Sequence, residues 1–275
     1  MITPARLLIF LLAVTSATAA LADSTLDYTI FDKPGQAGRS QPVLVKEGRI
    51  VVRGAGGDSN MDMIYARQSD SLQIIDHKKR AYMTLDQQQI GQFSQQAEQL
   101  QPLLQGFGEQ LGKLSPQQKA KWQQMLGDTV SIDDIASAAN ANDEANLVKT
   151  GLGKHIAGIP CEQVNVLQGQ SKTGELCIAD PIRLNLSVDD YETVRSLLHF
   201  SESLATKTQG LAKQFGFKIP SFKLHDFAGV PIEMRDLSKK NSNSLTLSRI
   251  LTTEISAEAM RVPAGYRQAP LTAWR

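Results

Sequence analysis

The sequence predicts an exported α+β domain built on antiparallel strands, and three observations carry that reading. β-branched and alternating runs separated by tight turns fill residues 26–86 and return from residue 147. Between them lies a Gln-rich stretch whose apolar residues recur every three or four positions. The chain has 2 cysteines, Cys161 and Cys177, on either side of a Gly-containing polar turn.

The first element is a leader. Residues 1–22 read MITPARLLIFLLAVTSATAALA, with a basic start at Arg6, an apolar run from Leu7 to Val14, and small residues ending in Ala20-Leu21-Ala22. That is the pattern of a secretory signal peptide, with cleavage expected near Ala22 and Asp23 as the mature N-terminus. An uncleaved anchor would need about 20 apolar residues, and this run is shorter. No Cys follows the run to accept a lipid, and no later segment is apolar enough to span a bilayer. The expectation is a soluble monomer in the periplasm, one domain over residues 23–275. Lys and Arg number 29 against 28 Asp and Glu, so without Arg6 the charge is zero. A nucleic-acid partner would need a basic stripe, and none is present.

Strands come next. Leu26 to Phe31 opens the series, and Val43 to Arg53 forms two β-branched runs around Glu47-Gly48. Met61 to Arg67 alternates, and Leu72 to Leu85 forms another hairpin with a charged tip containing His77. Together they predict consecutive antiparallel strands of one meander.

A helical insertion at about 87–145 follows. Ile90, Phe93, Ala97, Leu100, Leu104, Phe107, Leu111 and Leu114 form an amphipathic stripe, interrupted by Pro102 and Gly106, Gly108 and Gly112. Ser115-Pro116 reads as an N-cap with Pro at the first helical position. The stripe admits a coiled coil or helices laid on the sheet. Gly and Pro weaken a long free helix, which favours the second.

The strands that return include Cys161 and Cys177, which lie 16 positions apart with their midpoint at Gly169. Residues equidistant from a hairpin turn face each other, so a disulfide is expected between directly opposed positions. It would stabilise by about 3 kcal/mol. The spacing is wrong for a redox C-x-x-C, and two thiols without nearby His cannot complete a zinc shell. Ser187 with Asp190 starts a further helix, and two more β runs, 229–235 and 245–255, close the domain. The near copies Ala157-Gly158-Ile159-Pro160-Cys161-Glu162 and Ala228-Gly229-Val230-Pro231-Ile232-Glu233 read as one shared way to enter a strand.

Catalysis finds no support in the motifs, and no enzyme, cofactor or metal is expected. Gly57-Asp58-Ser59-Asn60 resembles an esterase nucleophile block, but the Asp-x-x-His that should accompany it is absent. Gly151-Leu152-Gly153-Lys154 fails as a phosphate loop, because His155 stands where Ser or Thr is required. His77, His155, His199 and His225 lack metal spacing. Asp133-Asp134 and Asp189-Asp190 read as helix N-terminal charges.

The apolar faces say more. Met61, Met63 and Tyr65 share one side of a strand, and Leu72, Ile74, Met83 and Leu85 can share that side of the neighbouring hairpin. Such a face is either plain core or the lining of a concavity closed by the helices through Leu100, Leu104 and Phe107. In the second case flexible Met side chains would adapt to an apolar guest.

Several local features carry a resemblance: Asp62-Met63, Ile75-Asp76-His77 with Tyr82-Met83, Gly158-Ile159-Pro160-Cys161 with Cys177, and the tail Arg261-Val262-Pro263-Ala264-Gly265-Tyr266. They resemble a bacterial periplasmic domain-of-unknown-function family related to the lipoprotein-localisation carriers, the LolA/LolB-like fold. The resemblance implies a curved, incompletely closed antiparallel β-barrel with helices covering its mouth. It also implies a lipid or lipidated ligand held between sheet and helices. The second reading is an envelope structural or stress-related interaction protein with a filled core and a partner-docking helical face.

Overall fold

The structure, a computed structural model, describes residues 23–32, 35–55, 58–92, 95, 115–118, 121, 145–214, 224, 227–238 and 243–270. The expected leader and most of the Gln-rich insertion, with Leu100, Leu104 and Phe107, lie outside the described residues. Among the described residues six strands come before the insertion: β1 (Ser24–Phe31), β2 (Arg39–Lys46), β3 (Arg49–Val52), β4 (Met61–Ala66), β5 (Ser71–Asp76) and β6 (Ala81–Leu85). After it come β7 (Ala145–Ile156), β8 (Ile159–Gln168), β9 (Ser171–Ala179), helix α1 (Val188–Gln214), β10 (Val230–Asp236), β11 (Ser244–Leu251) and β12 (Arg267–Gln268).

All the strands belong to one sheet in the order β12-β6-β5-β4-β3-β2-β1-β11-β10-β9-β8-β7. β1 to β6 are sequential antiparallel neighbours, as a meander requires, and β1 joins them to the later strands through β11. β12 pairs with β6 in parallel, and every other ladder is antiparallel. The outer strands β7 and β12 do not pair with each other, so the curved sheet is not closed into a barrel.

Turn chemistry explains the hairpins. Glu47 (φ 48°) and Gly48 (φ 72°) give the two positive φ angles that a tight β2–β3 connection needs. Gly229 (φ 147°) is required for a different reason: a Cβ there would lie 2.4 Å from Ile178 Cγ2 and 2.7 Å from the Ala179 carbonyl. Any side chain would push β10 off β9. The two near-copied entry segments flank this same strand, with Cys161 of β8 and Val230 of β10 both registering on Ala179. Pro231 is tolerated because a bulge interrupts the ladder beside it.

The β2–β6 end of the sheet is apolar on both sides. Val43, Val45, Ile50, Val52, Tyr65, Leu72 and Leu85 form the main core with Val194, Leu197, Phe200 and Leu204 of α1. On the opposite side Val51, Ile64 and Ile75 pack against Ile255, Met260, Val262 and Tyr266 of the C-terminal segment. This middle-layer position is why the early strands are so rich in β-branched residues. Ser187 starts α1 as expected: its Oγ accepts from the Asp190 amide at 3.0 Å and donates to Asp190 Oδ2 at 2.7 Å. Burial of Asp190 pushes its carboxyl above the usual range, despite the Ser187 hydrogen bond. Ser115 Oγ likewise accepts from the Gln118 amide at 3.4 Å.

The disulfide Cys161–Cys177 is present, with a Cα–Cα separation of 5.4 Å, but its register differs from the expected one. Gln163 faces Cys177 and Cys161 faces Ala179, so the bridge is diagonal. Two one-residue offsets combine: Gln168 faces Ser171, which centres the turn after Gly169 rather than on it, and a bulge between Val166 and Leu167 shifts the ladder once more. The half-cystines are 6% and 0% exposed and lie in the main core cluster. Reduction is therefore expected to lower unfolding stability by about 3 kcal/mol. Urea unfolding with and without dithiothreitol measures it, and equal midpoints would refute the staple.

Candidate functional site

The face expected to bind a guest is assembled by β4, β5 and β6. Register sets Met63 beside Ile74 and Ile74 beside Met83, while Tyr65, Leu72 and Leu85 form the adjacent row. Alternation thus delivers Met61, Met63, Tyr65, Leu72, Ile74, Met83 and Leu85 to one side. Their burial is uneven. Tyr65, Leu72 and Met83 are buried, whereas Met61, Met63, Ile74 and Leu85 are only half-buried. The Tyr65 ring meets Phe200 of α1 at a centroid distance of 5.6 Å, and Ile90 adds to the same cluster.

A polar seam runs along the margin of this face. Tyr65 Oη donates to Asp70 Oδ1 at 3.0 Å, and burial together with the Asp70 carboxylate raises the phenol above its ordinary range. Gln87 Nε2 donates to Asp70 Oδ2 at 3.1 Å, and Ser203 Oγ and Lys207 Nζ of α1 donate to Gln87 Oε1 at 3.4 and 2.8 Å. Sheet, post-β6 segment and helix are linked through these groups. Arg67 adds a second link, pairing with the Asp189 carboxylate and donating to the Asp189 carbonyl at 3.2 Å.

The opposite side of β4 holds a cluster that the sequence reading missed. The sequence puts His77 on a solvated hairpin tip. Instead its Nε2 lies 2.9 Å from Asp62 Oδ2 and its Nδ1 lies 3.0 Å from Tyr266 Oη, with the two rings edge-to-face at 5.7 Å. Asp62 is 3% exposed and also accepts from Arg53 Nη1 and, at 3.1 Å, from the Gly54 amide. Burial pushes its carboxyl up, but the His77, Arg53 and Gly54 hydrogen bonds outweigh burial and hold it below the ordinary carboxylate range. Arg53 Nη2 and Arg49 Nη1 reach the Ala259 and Met260 carbonyls at 2.8 and 3.2 Å, which ties the C-terminal segment down. The local signal was faint: Asp62 alternates with Met61 and Met63, which shows only that it faces away from them.

His155 is exposed on β7, His199 is exposed on α1, and His225 lies outside the described residues. Ser59 itself sits in an exposed turn, where Asp58 Oδ1 accepts from the Asn60 amide at 2.9 Å. Among the described residues no group of three His, Cys, Asp or Glu side chains is placed to hold a metal. A cleft of about 620 Å³ lies between Gly48, Arg49, Arg67, Ser69 and Asp189. Another of about 400 Å³ is lined by Gly151, Leu152, Pro160, Cys161 and Glu162. Neither is lined by an expected guest-binding residue. No helix among the described residues is long and apolar enough to cross a membrane.

No protein-family model and no curated protein matches this sequence. Among solved structures, PNGF-II is similar at 6% identity over 92% of this chain, with a TM-score of 0.40. This chain spans 32% of the length of PNGF-II. An uncharacterised conserved protein from Thermus thermophilus is similar at 6% identity over 91% of each chain, with a TM-score of 0.39. Neither likeness bears on function.

Proposed function

We propose that this protein is an exported periplasmic binding protein that holds a hydrophobic or lipidated ligand between its sheet and its helices, as a monomer, without cofactor or catalysis. One observation carries the reading: Met61, Met63, Ile74 and Leu85 form a half-buried apolar strip on the side of the sheet where α1 packs. Flexible thioethers beside aliphatic side chains suit a guest of variable shape, and a helix at the margin can shield it from water. The disulfide accords with an oxidising compartment.

The rival reading is an envelope interaction protein with a filled core. Tyr65, Leu72 and Met83 support it, since all three are already buried. Native mass spectrometry with lipid extraction, on mature protein purified from periplasm without detergent, separates the two. An acyl-containing mass is expected, and the double variant Met61→Gln/Met63→Gln should lose it while keeping the far-ultraviolet dichroism of the parent. A protein that is empty and refuses added fatty acid or phospholipid overturns the binding reading.

A further inference from the structure

The cluster behind β4 has an order of groups that packing alone does not require. A hydroxyl, an imidazole and a carboxylate stand in series: Tyr266 Oη to His77 Nδ1 at 3.0 Å, and His77 Nε2 to Asp62 Oδ2 at 2.9 Å. That series is the signature of an activated nucleophile, in which a base lies within hydrogen-bond reach and a third group orients the base. We propose that Tyr266 is a reactive phenol, with His77 as its general base and Asp62 as the orienting group, and that it forms covalent adducts with small acyl- or sulfonyl-type electrophiles.

The roles follow from the partners. Asp62 is buried and fixed by Arg53 and the Gly54 amide, so it stays an acceptor and holds the proton of the neutral ring on Nε2. Nδ1 is then the free lone pair, and the Tyr266 hydroxyl points its proton there. The phenol is not sealed in the core, since Tyr266 and its ring neighbour His77 are each only part-buried. The Arg80 guanidinium lies 5.9 Å from the centre of the Tyr266 ring and favours negative charge developing on the phenol in the transition state. The backbone supports the placement. Gly265 has φ 79°, and a Cβ there would come within 3.3 Å of Arg80 Nη2, while the Arg267 amide donates to the Arg80 carbonyl at 3.1 Å. With a sulfonyl fluoride as probe, the Tyr266 oxygen forms a bond to sulfur, its proton passes to His77 Nδ1, and the sulfur–fluorine bond breaks to release fluoride. No oxidant or second reactant is needed.

The chain carries 5 tyrosines, so it contains its own controls. Tyr82 and Tyr191 are part-buried like Tyr266, but no His is hydrogen-bonded to either among the described contacts. Folded mature protein is treated with a small aryl sulfonyl fluoride, and modification of each tyrosine is timed by peptide mass spectrometry, with each rate divided by that in urea-unfolded protein. Tyr266 is expected to react at least about tenfold faster than Tyr82 and Tyr191, a conservative share of what general-base help supplies. His77→Gln should bring Tyr266 down to their rate and leave theirs unchanged, which also reports that the fold survives. Equal normalised rates for all three tyrosines in the parent protein would overturn the proposal. A Tyr266 rate that stays high in folded His77→Gln would overturn the relay.

Discussion

Phe200→Ala is expected to cost about 3–5 kcal/mol and to release α1 from the sheet. Phe200 is 1% exposed, meets the equally buried Tyr65, and lies in the core cluster that Val194, Leu197 and Leu204 join from the same helix. Removing the ring takes away its transfer free energy and also leaves a cavity that the sheet, held by ladders on both sides, cannot collapse to fill. The seam from Tyr65 through Asp70 and Gln87 to α1 would not replace it, because those polar contacts are partly exposed and each contributes about 1 kcal/mol. Urea unfolding reads the loss, and amide hydrogen exchange over residues 188–207 reads the release. A variant that unfolds at the parent midpoint with α1 still protected would show that the helix is held elsewhere.

Asp62→Asn is the second large effect, expected at about 3 kcal/mol at neutral pH, the low end for breaking a buried ion pair, because Arg53 keeps a third of its side chain in water. The amide keeps the shape but loses the charge that Arg53 and His77 both address. Its acid dependence follows from the direction of the Asp62 shift. The folded carboxyl is held below its unfolded value of about 3.9, so its stabilisation is complete above that pH. As pH falls through the folded value, the folded state must take up the proton and the contribution disappears. Parent protein should therefore lose stability steeply below about pH 4, while Asp62→Asn lacks that part of the slope. Parallel slopes for the two proteins would place the acid sensitivity in other carboxylates. The loosened C-terminal segment should also expose the Ile255 and Met260 patch to hydrophobic dyes.

Much of the fold was legible because its signals are local. Glu47-Gly48 marks a hairpin in any context, period-two alternation set Met61, Met63 and Tyr65 on one side of a strand, and Ser187 with Asp190 announced a helix. A single pair of cysteines admitted one intramolecular connectivity. The diagonal register of that bridge was not legible, since it depends on the turn pairing Gln168 with Ser171 and on a bulge between Val166 and Leu167, neither of which the residue pattern marks. The candidate face was legible as a set of residues but not in its burial. Only packing against α1 distinguishes Tyr65 from half-buried Met63.

By itself the sequence determined most of the strands, the turns, the helix caps and the pairing of its thiols, because φ preferences, side-chain periodicity and covalent chemistry act over a few residues; it ran the last β run on to Ile255, where the strand ends at Leu251, and had no strand at Arg267–Gln268. The tertiary structure alone decided the order of strands across the sheet, the closing of β1 on β11, and the meeting of Asp62, His77 and Tyr266. The hydrogen bond from Tyr266 to His77 joins residues 189 positions apart, and a contact over that distance leaves no periodic trace in the chain. It exists only where the C-terminal segment, drawn down by burial of Ile255 and Met260, crosses the back of the sheet.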